Sequence, residues 1–167
     1  HRHGHQQYHS TIRGNGEGVL CTFGNGDHGR LGHGQPNQSE TIPTPLSTHA
    51  PTTSTNPAEL LASSPPPSVL VVGVACGGAH TLFLTSDGTV FAMGLNDKGQ
   101  LGVGGDARGD GDGELVAADG YASFPLRVSG IKGRVTAIAA GHHHSACITA
   151  DGRLWVCGAN NKGQLGL

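Results

Sequence analysis

An all-β chain built from repeated small antiparallel sheets is the fold class this sequence predicts, and three observations carry the prediction. A nine-residue phrase recurs three times, as GNGDHGRLG at 24–32, GLNDKGQLG at 94–102 and GANNKGQLG at 158–166. Short apolar runs precede each copy and turn at Glu17-Gly18, Asp87-Gly88 and Asp151-Gly152, and Asp-Gly between such runs is a strong hairpin signal. With 29 Gly, nine Pro and few aromatics, the 167 residues are turn-rich and offer no amphipathic helix to cover a sheet. Self-similarity at a fixed spacing marks a repeat architecture, in which each sheet needs its neighbours to bury both faces.

Within the phrase the first, sixth and ninth residues are always Gly: Gly94, Gly99 and Gly102 in one copy, Gly158, Gly163 and Gly166 in another. Its eighth residue is always Leu, as at Leu101 and Leu165. The third is Gly26, Asn96 or Asn160, the residue types that best tolerate positive φ, so a left-handed turn is predicted there. Upstream, residues 77–94 align with 141–158 without a gap, matching Gly77 to Gly141, His80 to His144, Asp87 to Asp151 and Gly88 to Gly152. Residues 71–77 likewise stand over 135–141. The first copy is looser; 9–24 fits with one extra residue and begins in the middle of a unit.

In chain order this divides the sequence into a partial first repeat at 1–32, a Pro/Ser/Thr-rich insertion at 33–67, a second repeat at 68–102, a Gly/Asp-rich insertion at 103–123, and a third repeat with its exit turn at 124–167. The first insertion lacks the apolar surface to offset its ordering entropy, though Pro43-Thr44-Pro45-Leu46 reads as the remnant of an outer strand. The second repeat is the best formed: VLVVGVAC suits a strand buried on both faces, and TLFLTS and TVFAMG flank Asp87-Gly88. The five residues FPLRV at 124–128 supply a short strand at the head of the third repeat, and Val135 begins its three-strand meander.

Ten basic and twelve acidic residues give no overall electrostatic footprint for nucleic acid or an anionic membrane. The sequence shows neither a basic-then-apolar leader nor eighteen consecutive apolar residues, so no signal peptide or membrane span is expected in it. Cys21, Cys76, Cys147 and Cys157 have no zinc-ligand spacing; they read as small buried hydrophobes in a reducing, intracellular compartment, cytoplasmic or nuclear.

Several local patterns invite chemistry and fall short of it. GNGDHG at 24–29 matches a dinucleotide-binding pattern, but RLGHGQP follows where a helix is required. Five His in the first nine residues carry no carboxylate or Cys to fix a metal geometry. DGDGE at 110–114 fails as a calcium loop, because the sixth and twelfth positions from Asp110 are Leu115 and Tyr121 instead of Gly and Glu. His144 recurs as His80, which points to a structural imidazole at the start of a strand. His142 and His143 replace Gly78 and Ala79, so they are additional side chains, expected to face solvent and to contact a partner. No cofactor, catalytic residue or resident metal is expected.

The ordered set GGAHT…SDG…MGLNDKGQLG and GHHHS…ADG…CGANNKGQLG, with a degraded YHST…GEG…FGNGDHGRLG, resembles the regulator of chromosome condensation repeat family over about two-thirds of the chain. The resemblance implies a partial β-propeller of four-stranded antiparallel blades, here two blades and part of a third. It also implies a choice of functions: guanine-nucleotide exchange on a small GTPase, substrate docking for a ubiquitin ligase, ultraviolet-B photoreception, or a general protein-interaction scaffold. The photoreceptor-type lead-in carries Trp-Arg where this chain has Gly78-Ala79 and His142-His143, and the single Trp155 falls at the position of Phe91, a core site. No basic tail supports exchange on chromatin. A non-catalytic module that binds a protein is therefore the expected function, with His142, His143 and the acidic residues Asp106, Asp110 and Asp112 of the second insertion as contacts; no small-molecule substrate is expected.

Overall fold

In the computed structural model, which describes residues 10–13, 19–46, 70–104 and 120–167, the chain folds into three antiparallel sheets. Strands β1 (Ser10–Arg13), β2 (Val19–Gly24) and β3 (Glu40–Pro45) form the first sheet in that order. The second holds β4 (Val71–Cys76), β5 (His80–Thr85), β6 (Val90–Leu95) and β7 (Tyr121–Arg127), a complete four-stranded meander. The third holds β8 (Val135–Ala140), β9 (His144–Thr149) and β10 (Leu154–Gly158). Among the described residues the single helical turn is Asp27–Gly29.

Two boundaries differ from those read in the sequence. The segment expected to open the third repeat at Phe124 lies inside β7, which pairs with β6 through Phe91–Arg127 and Gly94–Ala122 and so closes the second sheet. The first insertion likewise contributes β3, whose register, Cys21–Pro45 and Gly24–Glu40, copies that of β7 on β6. The first two nine-residue phrases are thus each followed by an outer strand that folds back onto the sheet before it. Alternation of apolar residues cannot show this, because pairing partners are chosen by the turn and not by the strand.

The phrase itself is a tight double turn. Gly94, Gly99 and Gly102 have φ of +104°, +75° and +62°, and the equivalent glycines of the other two copies match them. The third position is not left-handed, contrary to expectation: Gly26 has φ −94°, and Asn96 and Asn160 also lie outside that region. Asn serves there through its side chain, since Asn96 Oδ1 accepts from the Leu101 N–H at 2.9 Å and Asn160 Oδ1 from the Leu165 N–H at 3.0 Å. Gly26 stands alone because the carbonyl of Gln38 occupies the space a Cβ would need. Asn96→Gly is accordingly expected to destabilise the protein by about 1–3 kcal/mol, the cost of leaving a buried amide unpaired, whereas a left-handed site would accept Gly without loss. A urea titration of the variant distinguishes the two.

Sheets stack face to face. Leu20 of β2, Leu46 beyond β3 and Val71, Phe83, Phe91 and Met93 of the second sheet form one seam, with the Phe83 and Phe91 rings stacked at 5.1 Å. Leu84 and Val90 pack on Val135 and Cys147 to form the next. Burying each such Leu or Phe contributes roughly 1.5–3 kcal/mol, so the stack is the main source of stability. The third sheet repeats the pattern with no neighbour on its far face among the described residues: Ile148 and Leu154, aligned with the buried Leu84 and Val90, are 44% and 63% exposed.

Candidate functional site

The loops at one end of the stack form a continuous surface, built on a polar latch repeated between sheets. The Thr81 hydroxyl donates to the Arg30 carbonyl at 3.0 Å, and the Ser145 hydroxyl donates to the Gln100 carbonyl at 2.7 Å. Arg30 and Gln100 are the seventh residues of their phrases, and Thr81 and Ser145 directly follow His80 and His144. All four latch residues are buried. The first two exit turns thus grip the first residues of the following sheet's second strand.

His80 is 1% exposed, and its Nε2 lies 2.9 Å from Ser145 Oγ. Because that hydroxyl donates to Gln100, Nε2 carries the imidazole proton and Nδ1 is a buried acceptor without a partner. Burial, reinforced by the neighbouring His143, His144 and His142, lowers its pKa to about 4. A Cβ at Gly77 would collide with the His80 ring and one at Gly141 with the ring of His144, so both glycines make room for an imidazole folded over the backbone. The imidazole of His80 at this strand start is therefore bound to a side chain of the adjoining sheet.

Above the latch the lead-in loops meet directly. Arg30 Nη1 donates to the Gly78 carbonyl at 3.2 Å, and the Gly78 N–H donates to the His142 carbonyl at 3.1 Å. This chain of contacts puts the first exit turn and both lead-ins on one face. Gly78 is small because a Cβ there would lie 2.8 Å from the His142 oxygen. His142 is exposed, as expected; His143 is half-buried, packed edge-on against it at 4.3 Å between ring centroids, with Nδ1 buried and unpartnered. The correction to a fully solvent-facing pair arises because the third exit turn folds over His143, whose carbonyl accepts from the Ala159 N–H at 2.8 Å.

A cavity of about 380 Å³ opens on this face between Lys98, His142, His143, Asn161 and Lys162. Lys98 pairs with Asp97 at 3.1 Å. Burial opposes ionisation of Asp97, but the Gln100 amide and Lys98 outweigh it and hold its carboxyl below the usual range. At the matching position beside Lys162 stands Asn161, so that lysine has no carboxylate next to it in sequence. Asp106, Asp110 and Asp112, the other proposed contacts, lie outside the described residues. Sequence reasoning passed over Arg30, Gln100, Thr81 and Ser145, although their recurrence at the seventh position and after His was the available signal.

Antiparallel meanders stacked on their faces, one of four strands and two of three among the described residues, each latched to the next by a glycine turn, are the blades of an incomplete β-propeller. Residues 17–84 and 87–148 match the sequence model of the regulator of chromosome condensation (RCC1) repeat, and a second model of that repeat matches 71–100 and 135–164. The chain belongs to the RCC1 repeat family. It is similar to the ultraviolet-B receptor UVR8 of Arabidopsis thaliana, at 34% identity over 89% of this chain and 27% of UVR8. It is also similar to the E3 ubiquitin-protein ligase HERC2 of Homo sapiens, at 31% identity over 89% of this chain and 2% of HERC2. Among solved structures, yeast RCC1 (Prp20) bound to Kap60 superposes with a TM-score of 0.64 at 20% identity, over 85% of this chain and 28% of that one. The chain thus spans about a quarter or less of the length of these relatives. Among the described residues no helix is long and apolar enough to cross a membrane.

Proposed function

We propose that this chain is a non-catalytic docking module that holds a protein partner on the face carrying His142 and His143. The observation that supports it most is the Arg30–Gly78–His142 contact chain, which joins loops from three repeats into one surface while the strands are consumed by packing. Exposed His142, the half-buried His143 and the Lys98 and Lys162 ammonium groups provide donors there. The acidic insertion with Asp106, Asp110 and Asp112 adds a second contact, attractive to a basic partner and weakened by salt. Four unpaired cysteines support an intracellular setting. The alternative is nucleotide exchange on a small GTPase.

The test is a pull-down with the full-length protein, comparing wild type with His142→Ala plus His143→Ala and with the 103–120 insertion deleted. At least one variant is expected to lose its partner by tenfold or more. Unchanged binding in both removes the proposal, and stimulated nucleotide release from a GTPase turns it toward exchange. The photoreceptor reading finds no support in the residues, since Trp155 is the one Trp of the chain.

A further inference from the structure

The second and third lead-in loops meet around one buried imidazole. His80 lies in the seam between the second and third sheets, both present in this chain, and its Nε2 bond to Ser145 ties β5 to β9. A Cβ at Gly77 would run into the Nδ1–Cε1 edge of this ring and stand 2.7 Å from the Gly141 carbonyl oxygen. That edge therefore sits where the two lead-ins touch. Gly78, two residues from His80, makes the bond that joins them, its N–H donating to the His142 carbonyl. Nδ1 is buried at this junction without a hydrogen-bond partner.

Charges around the ring oppose a proton on it. The third lead-in brings His142, His143 and His144, the first two packed edge-on at 4.3 Å. The second exit turn brings Lys98 and Asp97, and that carboxylate is already held by Lys98 at 3.1 Å and by the Gln100 amide at 3.1 Å. From the first exit turn Arg30 reaches the Gly78 carbonyl, with Asp27 at 3.8 Å from its guanidinium. Burial first, then His143, His144 and His142, bring the His80 pKa to about 4. Parting of the two lead-ins wets the ring and returns it to an ordinary value of about 6.5. The parted form thus takes up a proton before the closed one, and falling pH draws the loops apart. The sheets beneath are held by Leu84 and Val90 on Val135 and Cys147, none of which gains a proton in that range.

We propose that His80, crowded by His142 and His143, is an acid-operated release for the docking face: its protonation parts the second and third lead-ins at the Gly78–His142 bond while the sheets stay folded. What is released rests on the docking reading; the parting itself does not, and it is measured without a partner. A failed pull-down at neutral pH therefore leaves this measurement standing, and the reverse holds as well.

The test is amide hydrogen exchange of the full-length protein between pH 7 and pH 4, with protection corrected for the intrinsic pH dependence of exchange. In wild type the lead-in amides at 77–80 are expected to lose about a hundredfold in protection, the ratio set by a ring that titrates at about 6.5 when open and about 4 when closed. Strand amides at 90–95 are expected to stay protected over the same range. His80→Gln keeps an N–H for the Ser145 hydroxyl and cannot titrate, so its lead-in protection is expected to be flat. His142→Gly with His143→Ala installs the residues of the second repeat, Gly78 and Ala79, and is expected to move the loss to higher pH, because the closed ring then accepts a proton more readily only after the loops lose less by parting; a smaller total loss is the accompanying sign. Loss of lead-in and strand protection together in wild type, a pH-dependent loss retained in His80→Gln, or an undiminished loss in the double variant overturns the proposal.

Discussion

Gly94→Ala is expected to lower the unfolding free energy of the full-length protein by on the order of 2–6 kcal/mol, about 1–3 from backbone strain and about 1–3 from overpacking. Gly94 has φ +104°, where an L side chain is strained, and a Cβ would run into the Ala79 carbonyl and lie 2.7 Å from His80 Cα. Those atoms lie at the entry to the adjacent strand β5 and cannot withdraw without breaking the Leu95 N–H to Ala79 carbonyl bond of 2.8 Å. Gly158 is the same site in the third repeat, with His143 and His144 in place of Ala79 and His80. Gly99 and Gly163 also have positive φ, 75° and 72°, but open space around them. In the 167-residue chain Gly99→Val and Gly163→Val should therefore cost only the strain, about 1–3 kcal/mol, whereas at the equivalent Gly29 a Cβ would also meet Ser123 of the next sheet at 2.6 Å. Urea unfolding of Gly94→Ala, Gly158→Ala, Gly99→Val and Gly163→Val checks the order; equal tolerance at Gly94 and Gly99 would show that the close approach of β5 is not what the first glycine protects.

Acidification from pH 6.5 to pH 4 is expected to remove about 3 kcal/mol of stability through His80 alone, at roughly 1.4 kcal/mol per pH unit. The sign follows from the lowered folded pKa of about 4. The unfolded imidazole titrates near 6.5 and takes up its proton first, so in that window the unfolded chain binds more protons than the folded one. Stability is fully present above pH 6.5, falls as pH drops toward 4, and stops falling on this account below it. A proton arriving at Nδ1 would create a buried donor facing no acceptor beside a ring already fixed to Ser145. His80→Leu should start less stable at neutral pH yet show a pH slope in this window that is smaller by that amount. An unchanged slope would show that the acid sensitivity does not arise at His80.

Much of this protein could be read without coordinates. Recurring glycines, Asp-Gly hairpins and apolar runs established antiparallel meanders, because strand period, hairpin chemistry and left-handed backbone are local properties that one residue or a pair of residues can carry. The hairpin corner shows this directly: Asp87 Oδ1 accepts from the Thr85 hydroxyl at 2.6 Å and the Thr89 N–H at 3.0 Å, all within five residues. The third position of the phrase was misread for the same reason in reverse. Asn satisfies two physical requirements, positive φ and side-chain capping, and composition alone cannot tell which is in use.

What the sequence determined by itself was the repeat, its family and the identity of the strands from Val71 to Gly158, since each rests on contacts between residues close in the chain. Only the tertiary structure decided that β7 belongs to the second sheet and that Arg30 and Gln100 latch Thr81 and Ser145. Those features join residues tens of positions apart, and their energies depend on how closely two sheets approach. Spacing along a chain does not encode that distance; it emerges when side chains of particular volume are pressed between two faces.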